Sequence, residues 1–158
     1  MIRAFHHTSF TVSDVDAAER FFVELLGMQR IGGGRYDFDY IRRTVAYPDA
    51  VLKIAVLAFN HQAQSPKSDI LELIEYEQPR AEPVDTATCR PGAAHLCFAV
   101  DDIRAEFARL SERGVRFKSE PNEVTFGLNR GAWSVYFNGP DGIALELLQP
   151  APQPQAIS

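Results

Sequence analysis

The chain has 158 residues, with 46% apolar and 23% charged side chains and a formal net charge of −5. That is room for one domain or two small modules sharing a core, and it excludes a disordered chain, a collagen and a coiled coil. No apolar run reaches the ~18 residues of a membrane span, no basic-then-apolar leader opens the chain, and the acidic balance disfavours nucleic acid as a partner. Cys89 and Cys97 are too few for a disulfide framework, so a reduced, cytoplasmic protein is expected.

Residues 3–12, rich in β-branched and aromatic types, predict a strand. Ser13 or Asp14 caps a helix that carries Val15, Ala18, Phe22 and Leu25 at helical spacing and stops at Gly27. Met28–Ile31 restarts extended structure, and Gly32-Gly33-Gly34 reads as a flexible turn rather than a phosphate cradle, because the Gly-Lys and Gly-x-Gly-x-x-Gly patterns are missing. Residues 36–47 read as irregular strand or loop. Val51–Phe59 and Ile70–Glu77 read as strands, with a polar connection at 60–69. Residues 78–92, with three prolines and a glycine, read as a linker.

The order then begins again. Ala93–Val100 predicts a strand, and Asp102 caps a helix carrying Ile103, Phe107 and Leu110 that ends at Gly114. Val115–Lys118 and Trp133–Phe137 predict strands, residues 138–142 a turn, and Ile143–Gln149 the last strand. The proline-rich tail, 151–158, is expected to be mobile.

The two halves repeat one another in detail. His7 precedes Asp14, and His95 precedes Asp102, by the same interval. Leu71-Glu72-Leu73-Ile74 near the end of one half corresponds to Leu145-Glu146-Leu147-Leu148 in the other. Each half reads as strand, helix and about three strands, too small to be stable alone, so the two are expected to pack as a pseudo-symmetric pair. The repeat selects His7, Glu72, His95 and Glu146. A carboxylate between leucines must be exposed, paired, protonated or bound to a cation, because a buried unpaired charge is costly. Two glutamates and two histidines at matching positions favour metal ligation, and two imidazoles with two carboxylates suit Zn, Ni, Co, Mn or Fe(II).

Several residues carry weaker readings. His6 is expected on the strand face opposite His7, and His61 in an exposed loop. Ser9 and Thr11 share the His7 face, and Cys97 shares the His95 face. Arg42 and Arg43 read as a solvated pair in preference to a substrate clamp. Tyr47, Phe59, Trp133 and Tyr136 read equally as core or as an aromatic wall.

The segments His7-Thr-Ser-Phe-Thr-Val-Ser-Asp14, Phe-Phe-Val-Glu-Leu-Leu-Gly27, Pro91-Gly-Ala-Ala-His95 through Asp102, and Phe-Asn-Gly-Pro-Asp-Gly-Ile-Ala-Leu-Glu146-Leu resemble the vicinal oxygen chelate superfamily. That group includes glyoxalase I, methylmalonyl-CoA epimerase, extradiol dioxygenases and bleomycin resistance proteins. The resemblance spans about residues 3–150. It implies an α+β fold of two paired βαβββ modules (about 3–77 and 93–149) forming one domain over 1–150, with curled mixed sheets around a metal cavity. It places His7, Glu72, His95 and Glu146 on the family's metal-ligand positions, holding one divalent metal ion.

Four protein ligands leave about two open positions on a six-coordinate ion, which suits a substrate chelating through two oxygens. That favours a lyase or isomerase of glyoxalase or epimerase type, acting by proton transfer next to a carbonyl of a small molecule. An Fe(II) extradiol-type dioxygenase needs about three open positions and ranks second. A non-catalytic small-molecule binding protein ranks third, since members that only bind a drug generally lack the ligand set. Glu72 or Glu146 serves as base by leaving the metal, or the base lies elsewhere. No cofactor beyond the metal, no nucleic acid and no membrane partner is expected. A linker over 78–92, extended at roughly 3.3 Å per residue, reaches about 50 Å. This exceeds the ~20–25 Å width of a compact module, so the ligands of one site are expected from one chain, with a homodimer carrying two sites.

Overall fold

The computed structural model describes residues 1–59 and 70–152. The predicted connection at 60–69, with His61, and the tail from 153 onward lie outside the described residues. The chain divides into two compact units, Met1–Val84 and Asp85–Ser158, the division falling within 78–92. The fold is α+β, with one open four-stranded mixed sheet in each unit.

The first unit runs β1 (Thr8–Thr11), α1 (Val15–Glu24), β2 (Gln29–Tyr36), α2 (Asp39–Val45), β3 (Val51–Ala58) and β4 (Leu71–Gln78). Its strand order is β1-β4-β3-β2, with β1 parallel to β4 and the other pairs antiparallel. Asp14 caps α1 from an extended backbone, its side chain accepting from Ala17 N. Glu75, on β4, accepts from Val15 N at 3.1 Å. Val15, Ala18 and Phe22 are buried at helical spacing, and burying a side chain as large as Val or Phe contributes about 1.5–3 kcal/mol. Gly27 ends the helix at φ +75°, a conformation in which a Cβ is strained.

The second unit repeats this: β5 (His95–Ala99), α3 (Ile103–Glu112), β6 (Asn122–Glu123), β7 (Trp133–Asn138) and β8 (Ala144–Gln149). Its order, β5-β8-β7-β6, is the same arrangement. Asp102 caps α3, and Gln149 Oε1 accepts from Ile103 N at 3.0 Å, the counterpart of the Glu75 bond. In each sheet one face carries the core leucines, Leu71 and Leu73 or Leu145 and Leu147. Strand alternation sends the neighbouring glutamates to the opposite face.

The structure corrects four expectations. The three glycines are not a turn; they lie inside β2, with a register irregularity between Arg30 and Gly32. A Cβ at Gly33 would sit 2.1 Å from the Ile54 carbonyl oxygen, so the glycine answers to close strand approach. Residues 39–45 form α2, whose N-cap, Phe38, makes no side-chain cap bond and so left no capping signal. Residues 115–118 are not a strand; Phe117 makes an isolated bridge to Phe137. The first strand starts at Thr8, so residues 3–7, His7 included, precede it.

Candidate active site

The register explains why the repeat selects these four residues. Ser9 pairs with Glu72 across β1 and β4, and Cys97 pairs with Glu146 across β5 and β8. His7 and His95 each lie two residues before the paired position. Alternation within β5 puts His95 on the side of its glutamate, whereas His7, just before β1, is placed by its contact with Glu72. In the first unit His7 Nε2 lies 3.5 Å from Glu72 Oε2. In the second, His95 Nε2 lies 3.2 Å from Glu146 Oε2. Each unit thus assembles one imidazole–carboxylate pair. Among the described residues no unit gathers three or more His, Cys, Asp or Glu side chains able to hold a metal ion.

The two carboxylates are held differently. Glu146 is buried, with its side chain 11% exposed, and Ser134 Oγ donates to its Oε1 at 2.5 Å. Tyr136 lies opposite Glu146 in register, and its hydroxyl meets His95 Nε2 at 3.2 Å. Loss of hydration, then the Glu146 charge, raises the Tyr136 hydroxyl above its ordinary range. Cys97 is solvent-exposed as a residue, yet its thiol is pushed up to about 12 by screening from water, the Glu146 charge and a hydrogen bond to that carboxylate. Glu72, 27% exposed, faces Val56 across β3 instead of a tyrosine. Ile54 occupies the place that Ser134 takes in the second unit.

The weaker readings resolve individually. His6 does not point away from His7: outside a strand, alternation does not apply, and the two Nδ1 atoms meet at 3.0 Å. Arg42 is held by Asp37 and Asp39. Tyr47 packs edge-on against Tyr76, Trp133 lies under the Arg104 guanidinium, and Phe59 is exposed. Of the four aromatics, Tyr136 is the one placed at a His–Glu pair. Sequence reasoning passed over Ser134, whose role depends on the β7–β8 register.

The donor chemistry fits a divalent first-row ion. Each pair sets an imidazole nitrogen against a carboxylate oxygen, the mixed set that Zn, Ni, Co, Mn and Fe(II) accept. Both histidines are substantially exposed, at 38% and 43% of their side chains.

The sequence profile of the Glyoxalase/Bleomycin resistance protein/Dioxygenase superfamily matches residues 4–147. A 2-epi-5-epi-valiolone epimerase from an Actinomyces species is 33% identical over 150 residues, covering 92% of this chain and 78% of that protein. The lactoylglutathione lyase of Schizosaccharomyces pombe is 28% identical over 127 residues, covering 73% of this chain but 38% of that protein. Among solved structures, a glyoxalase family protein from Bacillus cereus superposes with a TM-score of 0.74 at 22% identity, covering 96% of this chain and 97% of that one. Glyoxalase I from Leishmania major gives 0.64 at 22% identity, covering 94% and 87%. At these identities the structural matches speak for the fold.

Proposed function

The chain belongs to the glyoxalase/bleomycin resistance/dioxygenase superfamily, also called the vicinal oxygen chelate superfamily, and from that premise we propose that it is a divalent-metal-dependent isomerase or lyase moving a proton next to a carbonyl. His7, Glu72, His95 and Glu146 would hold one cation. When bound, it would supply Lewis-acid stabilisation of the oxyanion that develops as the proton leaves. The observation that carries the reading is the unequal hold on two carboxylates at matched positions. Glu146, gripped by Ser134 and His95, is suited to remain a fixed ligand. Glu72, more exposed and 3.5 Å from His7, is the carboxylate free to take a proton from the carbon and return it. The epimerase and lyase relatives support an enzyme of this class.

Metal analysis of protein purified without chelator, followed by proton–deuterium exchange of α-acidic carbonyl compounds in heavy water, tests the proposal. Stoichiometric metal and catalysed exchange, lost in Glu72→Gln with metal retained, are expected. Oxygen uptake stoichiometric with substrate loss would replace it with a dioxygenase reading. Mixing His7→Ala chains with Glu146→Ala chains then shows which chains supply the ligands. No recovery is expected if one chain supplies all four, whereas recovered activity would mean ligands shared across a dimer.

A further inference from the structure

The open face of the second unit carries more than the His95–Glu146 pair. A cleft of about 550 Å³ lies on it, floored by Ser134 and Tyr136, the residues that touch Glu146 and His95. Its size is ordinary for a small ligand, but such sites are lined mostly by apolar and aromatic side chains, and this one is not. Thr88, Ser119, Ser134 and Tyr136 bring hydroxyls to it, and Asn122 brings an amide. Its charge is one of each sign, Lys118 and Glu123, which make no ion pair among the described residues. Val124 is its apolar side chain; Val135 is 2% exposed and belongs to the core face.

Resting on the proton-transfer reading above, we propose that the substrate of this site is an uncharged polyhydroxylated carbonyl compound, its hydroxyls read by the Lys118–Ser119–Asn122 wall. The lining keeps the Lys118 ammonium as a donor and the Glu123 carboxylate as an acceptor, and hydroxyl groups, which both donate and accept, match such a mixed surface. Asn122 Nδ2 donates to Ser119 Oγ and to the Glu120 carbonyl, so its amide oxygen is left to accept. Ser119 Oγ donates to the Glu120 carbonyl. The Lys118 ammonium sits 6.0 Å from the Tyr136 ring centroid, a donor directed over the cleft floor. A polyanion finds its one cation offset by Glu123, and a hydrocarbon ketone leaves these polar groups unpaired, the circumstance under which sites reject analogues lacking hydroxyls.

Titration of the full-length protein, as purified and after chelation, with a pentahydroxycyclohexanone, cyclohexanone, dihydroxyacetone phosphate and S-lactoylglutathione tests this. Binding is read by calorimetry and ligand-observed NMR. The polyol ketone is expected to bind at least about tenfold more tightly than the other three. Asn122→Leu and Lys118→Met should each weaken it about three- to tenfold, the size of one hydrogen bond. Asn122→Leu also loses its bonds to Ser119 and Glu120, so Lys118→Met is the variant expected to keep the wild-type melting temperature. Tighter binding of a phosphate or thioester probe, no measurable binding of the polyol ketone, or unchanged binding in both variants would overturn the substrate class. Polyol binding without deuterium exchange would leave the substrate class standing and overturn the proton-transfer reading. Exchange on another carbonyl without polyol binding would do the reverse.

Discussion

In the first unit the cross-strand row through Glu72 reads Ser9, Glu72, Val56, Gly32; in the second, the row through Glu146 reads Cys97, Glu146, Tyr136. Strand order, helix caps and register are shared. The neighbours are not, and they decide what each carboxylate does. Serine, valine and glycine leave Glu72 open to water. Cysteine, tyrosine and the diagonal Ser134 enclose Glu146 and give its charge partners, which a buried carboxylate requires. The open faces differ as well. In the first sheet, Ile41 of α2 packs with Leu52 on that face, joined by Ile54, Ile74 and Tyr76. Among the described residues the second unit has no helix between β6 and β7, and its open face keeps the polar cleft. Duplicated backbone with diverged rows therefore separates a fixed carboxylate from a freer one.

The largest effect that would break this comparison concerns metal retention. Glu146→Ala is expected to weaken retention on the order of 100-fold or more, whereas Glu72→Gln should stay within about tenfold while losing proton exchange. Retention is measured by competition with a chelating dye. Wild type should also gain about 4 kcal/mol of stability at a thousandfold excess of metal over Kd, a gain that Glu146→Ala forfeits. Equal losses in both variants would erase the asymmetry.

Exchanging the diagonal neighbour sharpens the comparison with a smaller effect. Ser134→Ala should lower metal affinity about tenfold by releasing Glu146, in line with other supporting contacts to metal ligands. Ile54→Ser offers Glu72 the equivalent hydroxyl and is expected to slow exchange several-fold without loss of metal. Faster exchange in Ile54→Ser would contradict the view that freedom of Glu72 serves catalysis.

The sheets themselves differ at one point. Gly33→Ala drives a Cβ to 2.1 Å from the Ile54 carbonyl at φ +114° and should cost about 1–3 kcal/mol, read as faster hydrogen exchange in β2 and β3. Protection in β7 and β8 is expected to change less.

The smallest effect concerns the caps. The bond from Ala17 N holds the Asp14 carboxyl below its ordinary value. Its stabilisation is therefore present above the unfolded value and lost as pH falls through the folded one. Hydrogen exchange of α1 amides should rise on acidification in wild type and vary less with pH in Asp14→Asn. An identical pH response in the two would remove Asp14 from the account of α1 stability.

What the sequence determined by itself was local and repeated. Asp14 and Asp102 as caps, Gly27 and Gly114 as stops, apolar helix spacing, and leucine-flanked glutamates are encoded within a few residues, so two related modules were legible, as were the partners of the His7–Glu72 and His95–Glu146 pairs. Tertiary structure decided what depends on neighbours distant in the chain. Gly32–Gly34 became strand because β3 approaches them closely enough to exclude a side chain at Gly33. Residues 39–45 became helix because Ile41 packs with Ala50 and Leu52, with no capping side chain to announce it. The division between a held and a freer glutamate rests on Ser134 and Ile54. Only the register of β7 on β8 and of β3 on β4 brings those residues alongside the two carboxylates, and register is fixed by pairing across the sheet, not by any run of residues along one strand.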